Sequence, residues 1–234
     1  MSMTVVLALF EFVVLVLAIS VHNAVQAWYA NRKGDPTARM LGYVSLNPVK
    51  HADVFGTLLW PAISIVLFHS NLLLGWGKPV PITTRNFRHP GRDEMQVYLS
   101  GLVAHLLAAA ACLLLLVVLK HTIPAAANQL GVASFLALGV TDIPTEGLSA
   151  LFPIMLFLYL GIVTNLLLFV FNLLPLPSVD GGKVLRYYLP YNAQQTFDNL
   201  GIYLMFGFFF LGYRIIMLFF VPLLVLFNGL LHLL

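Results

Sequence analysis

His22, Asn23 and Gln26 stand near the C-terminal end of a long apolar run, in the stretch SVHNAVQAWYANRKGDPTAR. On a helix, His22 and Gln26 are one turn apart and share a face, while Asn23 is rotated by about 100° from His22. Two histidines at that spacing, with a glutamate after the first, form a zinc site in which the glutamate is the general base. Here the pattern reads H-N-A-V-Q, with one amide at the position of the base and another at the position of the second nitrogen ligand.

A second group of polar residues lies in NLLLFVFNLLPLPSVDGGKVL. Asn165 and Asn172 are seven positions apart and fall on nearly one face of a helix. Pro175 and Pro177 must break that helix, and Asp180-Gly181-Gly182 opens a new short one. His69 and His105 are further polar groups within apolar segments; His69, near the end of its segment, reads as an interfacial residue.

The elements that carry these residues follow from the solvent. The chain has 234 residues, 60% of them hydrophobic, with 12 Lys and Arg and 9 Asp and Glu. Its mean hydropathy is +0.93. So few charges cannot cover a water-soluble core of this size, which makes the chain a polytopic membrane protein. The net charge of +3 reflects basic residues in two short loops, a pattern of juxtamembrane anchoring rather than nucleic-acid binding. Cys112 stands alone, which rules out an internal disulfide and leaves a small apolar filler.

A span needs roughly 20 apolar residues. Residues 3–30, 53–74, 95–119, 150–174 and 200–232 supply five such segments. The second carries Pro61, and the last is long enough to tilt or break near Gly207 or Gly212. The first lacks a basic region before its apolar stretch, carries Glu11 and shows no cleavage pattern, so it is expected to stay as a span rather than be removed as a signal peptide. With no internal repeat or low-complexity linker, one domain over 1–234 is expected. The expected fold is all-α and polytopic, with about five to six transmembrane or re-entrant helices.

Gly34-Asp35-Pro36 is a turn signal, and the weak alternation of RMLGYVSL leaves room for a small interfacial β-hairpin near residues 39–46. The loop GWGKPVPITTRNFRHPGRDE is too rich in proline and glycine to be helical throughout, and its Trp76 suits the membrane interface. Residues 32–50 carry four Lys and Arg, residues 78–92 carry four, and the connection 120–149 carries only Lys120. If 53–74 crosses the bilayer, the two basic loops face opposite sides. A re-entrant or Pro61-broken segment puts both on the cytoplasmic side, as the positive-inside rule prefers.

GDPTAR, LNPVKHADVFGTLL, GWGKPVP, RNFRHPGRDE and NLLPLPSVDGGKVL, in this order, resemble the site-2 protease family of intramembrane zinc metalloproteases, in its short form without a PDZ domain. The resemblance covers residues 15–190. It implies a zinc ion held by the two histidines of H-E-x-x-H and by the aspartate of N-x-x-P-x-x-x-x-D-G, with the glutamate activating water to cut a substrate helix within a bacterial-type cell inner membrane. By position, His22 is the first histidine, Asn23 stands for the glutamate, Gln26 for the second histidine, and Asp180 is the third ligand.

Two of these four positions have changed. An Asn amide cannot take a proton from bound water, so general-base catalysis, typically worth about 10²–10⁴-fold, is lost there. Gln26 offers only a neutral oxygen, whereas zinc favours imidazole, thiolate or carboxylate, and zinc binding is expected to be weak or absent. In a third departure, SGLVAH places Leu102 and His105 where the family has the proline and asparagine of A-G-P-x-x-N.

The same residues also have structural readings: His22 and Gln26 as interhelical hydrogen-bond partners, Asp180 as an N-cap on a helix beginning at Gly181, and His105 as an interhelical bond or cavity wall. Asn165 and Asn172 line a substrate groove by family analogy or join helices. The leading expectation is a pseudoprotease that binds a transmembrane helix or membrane partner without cutting it. The alternative is an active enzyme with zinc on His22, His105 and Asp180. A transporter or channel has little support, because the polar groups cluster on the family motifs.

Overall fold

A computed structural model describes residues 3–63 and 73–234. The polar patch sits on α1 (Met3–Lys33), a single helix with Arg32 and Lys33 in its last turn. At about 1.5 Å per residue, His22 lies roughly 16 Å from Lys33, about half the depth of a ~30 Å hydrocarbon core. The helix stops at Gly34, whose φ of 113° lies in the left-handed region that glycine adopts freely.

Asp35 follows, fully buried. Its carboxylate accepts from Thr37 N (3.1 Å), Thr37 Oγ1 (2.5 Å), Asn86 Nδ2 (2.9 Å) and Thr83 N (2.7 Å). One side chain therefore ties together the two basic loops. Burial opposes its charge, but the donors from Thr37, Asn86 and Thr83 outweigh it and hold the carboxyl below the usual aspartate range. A depressed folded-state value means that this stabilisation is present above the unfolded value of about 3.9 and fades as pH falls through the folded one. Asp35→Ala is expected to lose about 1–3 kcal/mol at neutral pH through the buried donors it orphans, and to flatten the acid limb of a melting-temperature profile below about pH 4.

The hairpin near 39–46 does not form, and no strand occurs among the described residues. Thr37–Met40 is a helical turn, α2, and Leu41 N, Gly42 N and Tyr43 N bond back to Thr37, Arg39 and Ala38. Local carbonyls satisfy the amides that a hairpin would pair across strands. Pro48–His51 forms α3, capped by the Asn47 side chain.

A π-helical turn, Val54–Leu59, then starts an apolar helix that runs to Ile63, with the Asp53 carboxylate accepting from Phe55 N and Gly56 N. The return is fixed by an isolated antiparallel bridge, Ala52 to Gly77, by Lys78 N to the His51 carbonyl (2.8 Å), and by Trp76 N to the Gly56 carbonyl (3.2 Å). Trp76 is not simply an interfacial anchor: it packs over Gly56, where a Cβ would come within 2.5 Å of its ring. The stretches that flank residues 64–72 thus meet: 51–56 bonds to 76–78. Both basic loops lie at the same end of α1, where Lys33 Nζ is 3.4 Å from Asp93 Oδ1 and Arg88 N bonds the Lys33 carbonyl. A shared end for the two loops is what a re-entrant or Pro61-broken segment requires; residues 64–72 lie outside the described residues. His69 lies outside the described residues.

Arg92–Thr122 is α4, antiparallel to α1, and Pro124–Ala137 is α5. The latter falls in what the sequence offered only as a connection. Proline at its start suits a helix N-terminus, and Ala126, Leu130, Ala133 and Ala137 bury one face of it. Phe152–Leu173 is α6, the centre of the bundle: 78% of its apolar stretch is buried, against 39% for α1 and 33% for α4. It packs on α1, α4 and α5. Cys112 on α4 meets α6 at Gly161.

The chain breaks after α6 at the two prolines and restarts as α7 (Asp180–Tyr188), then α8 (Tyr191–Leu233). No break occurs near Gly207 or Gly212, and α8 continues through Pro222. Its Arg214–Leu233 portion is the spanning stretch. Lys120 Nζ caps its end on the carbonyls of Leu231 (2.9 Å) and His232 (3.3 Å). Four helices among the described residues are long and apolar enough to cross a membrane, joined by the shorter Val54–Ile63 and α5. The chain is an all-α polytopic membrane protein.

Candidate functional site

Two prolines separated by one residue remove two backbone donors and crowd the preceding turn, so Pro175 and Pro177 end α6, and the chain turns back and brings Asp180 beside α1. The glycines that follow permit this: a Cβ on Gly182 would strike the Leu176 carbonyl, and one on Gly181 the Leu173 carbonyl. Asp180 is the first residue of α7, with Val179 at the cap position and no side-chain cap bond. The N-cap reading of Asp180 is therefore replaced: its carboxylate turns toward α1 rather than toward its own helix amides.

Asp180 Oδ2 accepts from Gln26 Nε2 at 2.6 Å and lies 3.0 Å from His22 Nε2. The ammonium of Lys183 stands 3.7 Å from Oδ1 and rests 4.7 Å over the Tyr98 ring. His22, Gln26 and Asp180 are all buried. A carboxylate at this depth needs donors or a cation around it, and here an amide, an imidazole and one lysine provide them. His22 Nδ1 is buried with no hydrogen-bond partner among the described residues.

The His105 ring stacks on that of His22, with centroids 4.6 Å apart and planes tilted by 31°. Its Nδ1 bonds Asn165 Oδ1 at 3.0 Å, and Asn165 Nδ2 donates to the Gly161 carbonyl. His105 and Asn165 thus join α4 to α6. Asn172 donates to Leu168 of its own helix. Asn23 donates through Nδ2 to the Lys78 carbonyl at 3.0 Å, pinning the stretch after residue 74 to α1.

These side chains border a cavity of about 410 Å³, whose lining includes His22, Asn23, Gln26, His105, Asn172 and Asp180. Asn165 sits behind His105 rather than on the wall. Among the described residues no group of three or more His, Cys, Asp or Glu side chains is placed to hold a metal ion.

Two contributors escaped the sequence reading. Lys183 follows Asp180 by one turn, a spacing that was legible. Gly101 was not: it lets α4 approach so closely that a Cβ would lie 2.5 Å from both Gln26 Nε2 and His22 Cε1. The only signal is a glycine inside an apolar helix, which costs about 1 kcal/mol and calls for a packing reason. Gly101→Ala is expected to cost about 1–3 kcal/mol by overpacking, read as a lowered melting temperature.

The peptidase family M50 model matches residues 3–212. The chain belongs to family M50, the site-2 proteases. A relative from Bacillus subtilis (strain 168), named "Putative zinc metalloprotease YwhC", is 34% identical over 186 residues, covering 79% of this chain and 72% of the relative. No solved structure matches. Membership in M50 accounts for the order of the motifs, from the helix of His22 to the Asp180 turn.

Proposed function

We propose that this M50 protein is a pseudoprotease, one that keeps the family's membrane-embedded cavity and holds a transmembrane helix of a client without cutting it. The observation that carries this reading is the contact of Gln26 Nε2 with Asp180 Oδ2 at 2.6 Å. The carboxylate that the family gives to zinc accepts an amide proton from the residue standing at the second histidine. Turning the amide over would set its oxygen against the carboxylate, an unfavourable exchange in hydrocarbon surroundings.

The residues present do not fit the family's zinc. One imidazole and one carboxylate remain of the usual three protein ligands, both engaged with each other, and His105 presents a stacked ring whose Nδ1 is committed to Asn165. Asn23, at the position of the general base, donates to a backbone carbonyl and has no carboxylate to take a proton. What the chain's own residues do is bind: Asn172 and the cavity mouth offer polar contacts to a locally unwound helix, and water stays limited at this depth. The basic end faces the cytoplasm of a bacterial-type cell inner membrane, in keeping with eight Lys and Arg between residues 32 and 92.

The test is a fluorescently labelled model transmembrane helix reconstituted with the full chain in liposomes supplied with zinc. Saturable association with the helix recovered intact is the expected result. A cleavage product abolished by a chelator would overturn the proposal in favour of the rebuilt site on His22, His105 and Asp180.

A further inference from the structure

The exposed side of α1 and α4 carries a second concavity, an open and largely apolar groove of about 690 Å³. Val25, Trp28 and Tyr29 of α1 form one wall, and Ser100, Ala104 and Ala108 of α4 form the other. His22 and Gln26 lie on the adjoining face of α1, about a quarter turn from Val21 and Val25, and the groove shares no lining residue with the cavity already described, so the two are separate.

Its length decides what it can hold. Along α4 it runs from Gln96 to Ala108, and along α1 from Val21 to Tyr29. At about 1.5 Å per residue these are roughly 18 Å and 12 Å. The hydrocarbon core is about 30 Å thick, so the groove is one leaflet deep. A helix crossing the membrane would need a track about twice as long, whereas an acyl chain from one leaflet needs no more.

The groove begins at the basic end of the bundle. The Arg32 guanidinium sits 5.0 Å over the Trp28 ring, and the Lys33 ammonium sits 5.3 Å over the Tyr29 ring. The two rings that line the groove therefore also carry the two cations at its mouth. Lys33 is offset by Asp93 at 3.4 Å, while Arg32 is exposed and has no ion pair among the described residues.

We propose that the groove binds an anionic phospholipid of the adjoining leaflet, with its phosphate on Arg32 and one acyl chain laid along Ser100, Ala104 and Ala108. Charge complementarity selects the headgroup: a guanidinium held on a ring offers parallel N–H donors that match two phosphate oxygens. The apolar walls select the chain. Trp28 and Tyr29 sit where interfacial aromatics are favoured, at the junction of the two parts.

The full chain in detergent, titrated with phosphatidylglycerol or with phosphatidylcholine of identical chains and read by native mass spectrometry, tests this. Preferential retention of phosphatidylglycerol is expected. Arg32→Gln should reduce that preference about five-fold, the effect of one basic residue near an anionic headgroup, and Ala108→Phe, which fills the groove, should weaken both lipids. Because Ala108→Phe can misfold, the exposed Arg32→Gln carries the test alone where needed. Equal retention of the two lipids, or an unchanged preference in Arg32→Gln, would overturn the proposal. So would an Ala108→Phe variant that changes oligomeric state or client association while lipid binding stays intact.

Discussion

Asp180→Ala is expected to be among the most destabilising single substitutions in the chain, by about 2–5 kcal/mol. Asp180 Oδ2 is the shared acceptor of Gln26 and His22. Its removal leaves a buried amide and a buried imidazole without a partner about half-way into the membrane, and breaking one side of a buried, charge-assisted contact costs in this range. The unfolded chain in the bilayer also finds partners, which moderates the loss. For a chain of this length the midpoint should fall by roughly 10 °C, measured by thermal unfolding in detergent. Lys183→Met should cost far less, since its contact is long, at 3.7 Å, and partly exposed. A change of under about 1 °C in Asp180→Ala would show that the α1–α7 contact does not hold the bundle together.

The double substitution Asn23→Glu with Gln26→His should have the largest functional effect. It supplies a second imidazole one turn from His22 and a carboxylate at the base position, and frees Asp180 from its amide partner. Zinc should then bind near one per chain and raise stability by about 4 kcal/mol when free metal exceeds its dissociation constant 1,000-fold. Cleavage of a helical membrane substrate should appear with it. Asn23→Glu alone should destabilise the apo protein, because Asn23 now donates to the Lys78 carbonyl at 3.0 Å and a carboxylate there would face an oxygen. Zinc binding without cleavage would locate the remaining defect in the cavity walls.

What was legible in the sequence was local. The helical register of His22 and Gln26, the break at Pro175 and Pro177 and the restart at Asp180 follow from spacing and from the backbone limits of proline. The membrane setting follows from composition. What stayed hidden depends on approach between distant segments. The 14 residues of α5 are too few for a span and form a helix because α6 covers their apolar face. RMLGYVSL alternates too weakly to override the local bonds of α2. Whether 53–74 crosses or returns depends on the bond of Lys78 N to the His51 carbonyl, between residues 27 positions apart. The direction of the Asp180 carboxylate, away from its own helix and toward α1, could not be read from an N-cap pattern that suits aspartate equally well. Gly101 has no pattern of its own, since its role is to be small beside Gln26.

The contact between Gln26 and Asp180 predicts that the native protein has no use for a metal at this position. Its zinc content after purification and equilibration with saturating zinc, measured by inductively coupled plasma mass spectrometry, tests that prediction most directly. Well below one zinc per chain, unchanged in His22→Ala, is the predicted result. One tightly held zinc per chain, lost in His22→Ala and His105→Ala, would contradict it.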